Sequence, residues 1–286
     1  GGIAERIVHL CDVLFGKFSG GLSIVTIVAC MFYAALSGSA VATTTGVGSF
    51  MIPSMAERGY DKGFAASVTA AAGSIGVIIP PSIPFVIYGV TVNCSIGDLF
   101  IAGVMPGVAM GVALIIMSVI YSKRHGYGGD KTHYTAKEVW VAFYRAIFAL
   151  LMPVIILGGI YSGIFTPTES AVVACVYCVV ISLLVYREMN LKGLYDALCD
   201  TVCVNGLSTF MVGMSMAFAV YLNVENIPAT IAAWMLGITS NKIALLLMIN
   251  VFLLVVGCLI DNIPATIILA PILLPIVRQV DMDPVT

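Results

Sequence analysis

The sequence predicts an all-α integral membrane protein: an inverted repeat with two re-entrant helical hairpins inserted from opposite faces, each accompanied by broken helices. Three observations lead to this fold class. The 286 residues are 60% hydrophobic and 10% charged, with a mean hydropathy of +1.07, whereas soluble domains carry about 25% charged residues. Several apolar stretches are too short to cross a bilayer and come in pairs around polar or proline-rich breaks. The basic residues place the two hairpins on opposite faces.

Residues 1–19 are predicted to form an amphipathic arm helix at the membrane interface. In "IAERIVHLCDVLFGKF" (3–18) apolar and charged positions alternate at helical spacing, which is typical of a helix lying in the interface plane. The sequence opens without a methionine, and its last residues, "DMDPVT", interrupt a pattern. We therefore expect a fragment that lacks spans at both ends.

Residues 20–92 are predicted to be the first half of a domain built around the two hairpins. It consists of a re-entrant hairpin over 20–55 and a broken helix over 64–92. Residues 93–240 are predicted to contain spanning, scaffold and connecting helices. Residues 241–286 are predicted to be the second half of the hairpin domain, a re-entrant hairpin that is truncated.

The apolar stretches 98–121, 139–162, 169–186 and 206–222 are predicted to be membrane spans. Positive residues favour the cytoplasmic side, and the loop 122–138 carries four of them. With that loop inside, all of the 13 basic residues except Lys242 and Arg278 lie inside or at that interface. The first hairpin then enters and leaves from the cytoplasmic side and the second from the opposite side.

The tips of the two hairpins can be aligned with each other. "SGSAVATTTGVGSFMIP" (37–53) matches "IDNIPATIILAPILLP" (260–275), with Ala-Thr in both and an apolar arm that ends in Pro53 or Pro275. Opposed repeats with broken helices near the midplane are typical of secondary transporters. A gapped match between two hairpins rich in small residues is the alternative.

The breaks themselves predict a cation site. Residues 37–39 (Ser-Gly-Ser) supply hydroxyls and a turn at which backbone can approach closely. The prolines of "PPSIP" (80–84) lack N–H groups, so carbonyls near Gly76 and Val77 lose their helical partners. Hydroxyl and carbonyl oxygens suit a small hard cation. Alternatively, the prolines only kink a span and the hydroxyls bond back to their own helix.

The second tip carries Asp261 and Asn262. A carboxylate at membrane depth indicates a functional site, whereas in water Asp261 is only a cap for the following helix. Glu169 follows Pro167 at the start of a span and is interpreted as a carboxylate of the first helical turn. The three histidines, His9, His125 and His133, have no ligand spacing, so we expect no transition-metal site. No basic patch indicates nucleic acid.

Three stretches carry a family resemblance: residues 20–90, with "MIPSMAERGYDKGFAA" and "IIPPSIP", then "GGIYSGIFTPTESAVVACVY" (158–177) and "DNIPATIILAPILLPIV" (261–277). They resemble the large membrane subunit of tripartite ATP-independent periplasmic (TRAP) transporters, and the resemblance covers essentially the whole chain. It implies a sodium-driven importer in the bacterial inner membrane that works by an elevator motion, with residues 20–92 and 241–286 as the two halves of its transport domain. It also implies a small membrane subunit and a periplasmic binding protein that delivers an organic anion.

The resemblance also implies site residues. The first Na⁺ site would use Ser37 and Ser39 with the carbonyls of Gly76, Ile79 and Pro81. A partial second Na⁺ site would use Gly257, Asp261 and Asn262, with a partner helix beyond Thr286. The substrate would lie between the two tips, near Ser39, Thr43, Ser82 and Asn262.

The function expected from these features is sodium-coupled import of a carboxylate, such as a C4-dicarboxylate or sialic acid. The main alternative is a related sodium/carboxylate carrier of the ion-transporter type that needs no binding protein. An intramembrane enzyme would need an HExxH motif, paired catalytic aspartates or a Ser/Lys or Ser/His dyad, and none is recognised. We therefore expect a transporter and no enzyme. A membrane assembly scaffold would not need two opposed polar tips.

Overall fold

The computed structural model describes residues 3–127, 135–238, 241–279 and 283–285. Every regular element within these ranges is helical, which confirms the all-α prediction. The helices are α1 (Ile3–Phe15), α2 (Gly21–Ser37), α3 (Ala40–Glu57), α4 (Lys62–Gly73), α5 (Ile83–Val92), α6 (Ile96–His125), α7 (Ala136–Tyr161), α8 (Pro167–Val180), α9 (Leu191–Val224), α10 (Ile227–Ile238), α11 (Lys242–Gly257) and α12 (Asn262–Gln279). His133 lies outside the described residues.

Four helical segments are long and apolar enough to cross a membrane: α6, α7, α8 with the π turn that follows it (Ile181–Val185), and α9. The first three match the predicted spans. The fourth begins at Leu191 and not at 206. Lys192, Asp196 and Asp200 recur every fourth residue there, which lowers the hydropathy while keeping these charged residues on one helix face. Hydropathy alone therefore missed the first four turns of α9.

The chain divides into two compact units. Unit 1 comprises Gly1–Ile83 and Phe100–Leu194, and unit 2 comprises Pro84–Leu99 and Tyr195–Thr286. The division predicted from the sequence, at residues 19, 92 and 240, stays a prediction.

The core of unit 1 forms around α2, which packs against α1, α3 and α4. Val25, Cys30, Met51 and Met55 are among the side chains buried there. Helix α3 continues through Pro53 to Glu57, two residues beyond the predicted end of the first hairpin. Helix α12 likewise continues through Pro275 to Gln279. Prolines are tolerated inside membrane helices when neighbouring groups satisfy the freed backbone.

Helix α6 holds the start of α2 through polar contacts. Ser118 Oγ donates a hydrogen bond to Ser23 Oγ, and Ser23 Oγ donates to the carbonyl of Gly20 at 2.7 Å. Both serines are buried, with exposed fractions of 3% and 0%. The amide of Gly20 donates to the carbonyl of Tyr127, which follows α6, at 3.1 Å. Buried hydroxyls of this kind are stable only when hydrogen-bonded.

Helix α8 begins with a capping box, in which the side chains of two residues each accept a hydrogen bond from the backbone amide of the other. Thr166 Oγ1 accepts from the Glu169 amide at 3.3 Å, and the Glu169 carboxylate accepts from the Thr166 amide at 2.8 Å. Pro167 occupies the first helical turn, where its missing N–H costs nothing. The interpretation of Glu169 as a first-turn carboxylate is confirmed.

Replacing the capping threonine tests this start of α8. Thr166→Ala removes the acceptor for the Glu169 amide, and we expect it to destabilise the protein by about 1 kcal/mol. Thr168→Ala is the matched control, because Thr168 is exposed two residues further on. Thermal unfolding in detergent measures both variants. Equal losses of stability would show that the capping box is not responsible.

Candidate functional site

The tip of the first hairpin is a two-residue break between α2 and α3. Gly38 adopts the left-handed conformation, with φ 62°, and its amide donates to the carbonyl of Ala34 at 3.0 Å. Ser39 is extended, with φ −135° and ψ 130°. A left-handed residue after a helix is usually glycine, because other residues are strained there. The sequence Ser-Gly-Ser therefore stops α2 and starts α3 within two residues.

The two serine hydroxyls at this tip have different partners: that of Ser37 bonds across the break, and that of Ser39 caps α3. Ser37 Oγ and Thr43 Oγ1 lie 2.8 Å apart and share a hydrogen bond. Ser37 Oγ is also 3.3 Å from the carbonyl oxygen of Ser39. Ser39 Oγ accepts from the amide of Ala42 at 3.4 Å and so caps α3. Both predicted serine ligands therefore stand at the tip with their oxygens close together.

Other hydroxyls in the same arm bond back to their own helix. Thr45 Oγ1 donates to the carbonyl of Val41 at 2.8 Å, and Ser49 Oγ donates to the carbonyl of Gly46 at 3.2 Å. This is the arrangement that the alternative interpretation expected. It describes Thr45 and Ser49, and also Ser39, whose Oγ caps α3. It does not describe Ser37, whose hydroxyl bonds to Thr43 across the break.

The second break separates α4 from α5. Helix α4 ends at Gly73, a 3₁₀ turn follows over Ser74–Val77, and α5 begins only at Ile83. Ser82, which is 1% exposed, donates its hydroxyl to the carbonyl of Val77 at 2.6 Å. One of the two carbonyls that the prolines were predicted to free is therefore satisfied by a side chain. The Ser82 hydroxyl therefore forms a hydrogen bond that bridges the break between α4 and α5.

The tip contacts this break through backbone atoms. The amide of Ile83 donates to the carbonyl of Gly38 at 3.2 Å. A Cβ placed on Gly38 would lie 2.6 Å from the carbonyl oxygen of Pro81. Since no real Cβ approaches an oxygen so closely, a side chain at position 38 would push the two segments apart.

A second close approach lies beside the first. A Cβ on Gly76 would lie 2.5 Å from Thr43 Oγ1 and 2.8 Å from the carbonyl oxygen of Ser39. Thr43 has no exposed surface. The two glycines, one on each segment, therefore let hydroxyl and carbonyl oxygens of the tip reach the backbone of the break.

The structure thus brings together four of the five residues predicted for the first sodium site. The fifth, Ile79, was predicted to contribute its carbonyl oxygen, and this role stays a prediction; its side chain lies against Gly107 of α6. All the candidate donors are neutral oxygens, which fit a small hard cation. The four residues at the contact are Ser37, Ser39, Gly76 and Pro81.

The tip of the second hairpin lies in unit 2, between α11 and α12. Gly257, Asp261 and Asn262 are all exposed, and a Cβ on Gly257 would meet no described atom within 4 Å. The carbonyl of Asp261 accepts from the amide of Ala265 at 3.1 Å, so Asp261 immediately precedes the first turn of α12. These three predicted residues lie near one another along the chain, and their sodium role stays a prediction.

A groove of about 390 Å³ lies beside this second tip. Its walls are largely apolar side chains of α11 and α12, together with Tyr88. Asn262 and Thr266 add polar groups. Small-molecule sites are usually concave and apolar with a few polar groups, and Asn262 is one of the predicted substrate residues.

The predicted substrate residues of unit 1 are largely occupied by internal contacts. Thr43 is fully buried and bonded to Ser37, and Ser82 is bonded to Val77. The role of Thr43, Ser82, Ser39 and Asn262 in binding a substrate stays a prediction.

The backbone bond from Ile83 to Gly38 was not predicted. The sequence does indicate which residues could donate such a bond, because within "PPSIP" only Ser82 and Ile83 carry an amide hydrogen. Either residue was therefore the candidate donor to a carbonyl outside the break.

The whole chain, residues 1–286, matches the family described as "Tripartite ATP-independent periplasmic transporter, DctM component". It is 46% identical over 285 residues to the isethionate TRAP transporter permease protein DctMQ of Oleidesulfovibrio alaskensis. It is 40% identical over 286 residues to the C4-dicarboxylate TRAP transporter large permease protein DctM of Pseudomonas aeruginosa, and 39% identical over 284 residues to the sialic acid TRAP transporter large permease protein SiaM of Vibrio cholerae.

These alignments cover 100%, 100% and 99% of this chain, but 45%, 66% and 66% of the respective relatives. The chain belongs to the DctM family of TRAP transporter large permeases. It is therefore an integral protein of the bacterial inner membrane, as the sequence predicted.

Two glycine substitutions test the contact between tip and break. Gly38 and Gly59 are both left-handed, with φ 62° and 84°, so alanine strains either backbone by about 1 kcal/mol. Only at Gly38 does the added Cβ also meet backbone, since nothing lies within 4 Å of it at Gly59. We expect Gly38→Ala to lower the thermal stability in detergent clearly more than Gly59→Ala. Equal losses would contradict the close contact.

Proposed function

We propose that this chain is the central part of a sodium-coupled importer of organic acids. A periplasmic binding protein delivers the substrate, and the hairpins carry it across the bacterial inner membrane by an elevator motion. The contact between residues 37–39 and 76–83 is the observation that carries this proposal, because it gathers neutral oxygens around two glycines where Na⁺ could bind.

The lengths of the hairpin arms support re-entrant insertion. Helices α2 and α3 contain 17 and 18 residues, which corresponds to about 26 Å each at 1.5 Å per residue. The hydrocarbon core is about 30 Å thick and needs about 20 residues. Each arm therefore falls short of a full crossing, and a pair of arms that enters and leaves from one face explains their length.

The names of the relatives support the substrate class. They specify isethionate, C4-dicarboxylate, sialic acid and 2,3-diketo-L-gulonate. All are small organic anions, three with carboxylates and one with a sulfonate. We therefore extend the predicted class from carboxylates to small organic acids that carry either group.

The family description supports the proposed partners. It designates the protein as one component of a tripartite periplasmic transporter, so we propose a small membrane subunit and a periplasmic binding protein as the other two. The same description disfavours the alternative carrier that works without a binding protein.

Transport in proteoliposomes tests the proposed coupling. The complete protein would be reconstituted with the small subunit and the binding protein, and uptake of the organic acid would be followed with and without an inward sodium gradient. We expect uptake only with the gradient. Equal uptake driven by a potassium gradient would refute sodium coupling, and uptake without the binding protein would favour the alternative carrier.

Replacing a tip serine tests the first sodium site. Ser39→Ala removes one oxygen, and we expect the half-saturating sodium concentration of uptake to rise about tenfold, because a hydrogen-bond-like contact to a charge contributes about 1.5 kcal/mol. Loss of the α3 cap alone would reduce the amount of folded protein but not this concentration.

Ser49→Ala is the matched control for this variant. Ser49 lies in the same helix, is exposed and bonds only to its own helix backbone. Its sodium dependence should equal that of the unchanged protein. An unaltered half-saturating concentration in Ser39→Ala would exclude Ser39 as a ligand contributor.

A further inference from the structure

A polar groove of about 430 Å³ lies in unit 1, away from both hairpin tips along the chain. It is bounded by α1, by the first half of α7 and by the segment after α8. Its charged and polar lining includes Glu5, Arg6, His9, Arg145, Tyr186 and Glu188. Neither the sodium site nor the substrate site uses any of these residues.

The turn after α8 builds one wall of the groove. The π turn Ile181–Val185 is followed by Tyr186, and the chain reverses at Arg187, whose φ is 53°. The reversal brings Glu188 within 2.6 Å of the guanidinium of Arg6, which lies 3.7 Å from the centroid of the Tyr186 ring. Arg6 is therefore held by an ion pair and a cation–π contact.

The opposite wall is fixed through the same tyrosine. The hydroxyl of Tyr186 donates to the carbonyl of Arg145 at 3.2 Å. The hydrogen bond from Arg6 lowers the pKa of Glu188, so this carboxylate is charged at neutral pH. Arg145 is exposed and forms no ion pair within the described part of the chain. The groove thus presents one guanidinium that is engaged and one that can bind a ligand.

The groove lies beside a part of α7 that has features of a membrane interface. Helix α7 has 26 residues and is about 39 Å long, some 9 Å longer than the hydrocarbon core. Trp140 and Tyr144, which are 70% and 66% exposed, lie near its start, as aromatic residues do at membrane interfaces. Arg145 follows directly. The charge distribution of the sequence predicts that this end of α7 lies on the cytoplasmic side.

We propose that this groove binds the headgroup of a zwitterionic phospholipid of the cytoplasmic leaflet. The phosphate binds Arg145, and the ammonium group binds Glu5. Basic groups in pockets between membrane helices on the cytoplasmic side bind lipid headgroups, and guanidinium–phosphate pairs are strong. The lining has two guanidiniums and two carboxylates, which match a headgroup of zero net charge better than an anionic one. The exposed apolar side chains Leu151 and Val154 of α7 can contact the acyl chains.

Native mass spectrometry of the complete protein with its small subunit tests this proposal. Phosphatidylethanolamine and phosphatidylglycerol with identical acyl chains are titrated separately. The unchanged protein should retain phosphatidylethanolamine more tightly. Arg145→Ala should weaken that binding about tenfold through the loss of one charge-assisted contact. Arg124→Ala, which removes an equally exposed arginine at the end of α6, should have no effect.

A second variant separates headgroup recognition from loss of fold. Glu5→Gln keeps the size of an exposed side chain but removes the partner of the ammonium group, so the preference for phosphatidylethanolamine over phosphatidylglycerol should disappear. Equal binding of both lipids by the unchanged protein would overturn the proposal. So would equal effects of Arg145→Ala and Arg124→Ala, or a groove from which the small subunit excludes lipid.

Discussion

The backbone contact between Gly38 and the proline break is the constraint on which the rest of the proposed ion site depends. It needs a glycine on each side, because a Cβ on Gly38 would collide with the carbonyl of Pro81 and a Cβ on Gly76 with Thr43. It also needs the amide of Ile83, which is free to bond Gly38 because the first residue of a helix has no acceptor within that helix. Helix α6 supports both segments, since Gly107 contacts Ile79 and Ser118 binds the start of α2.

The two hairpin tips differ more than their aligned sequences suggest. The first is packed, with Gly38 and Thr43 buried and hydroxyls bonded across the break. The second is exposed at Asp261 and Asn262 and has open space around Gly257. The two aligned segments share the helix–turn–helix pattern. The packing of each tip, by contrast, depends on the broken helix beside it. In the first hairpin that partner lies within the chain, at residues 74–83.

Much of the fold could be predicted because its signals are local. The positions of the prolines, the lengths of the apolar stretches and the sequence Ser-Gly-Ser located both breaks and three of the long spans. The start of α9 was missed because Lys192, Asp196 and Asp200 lower the hydropathy without breaking the helix. The hydrogen bonds of Ser37 to Thr43 and of Gly38 to Ile83 depend on how segments pack. Neither periodicity nor composition indicates such pairings. The sequence therefore predicted the candidate ligands of the cation but not the hydrogen bonds that these residues form.

Amide hydrogen exchange in sodium and in potassium at equal ionic strength tests the central claim most directly. If the tip and the break form one sodium site, sodium should slow exchange in peptides covering 37–43 and 76–83 together. The loop around Gly59, which lies outside the contact, should exchange at the same rate in both salts. Equal exchange of the tip and break peptides in sodium and potassium, or protection of only one of them, would contradict a shared site.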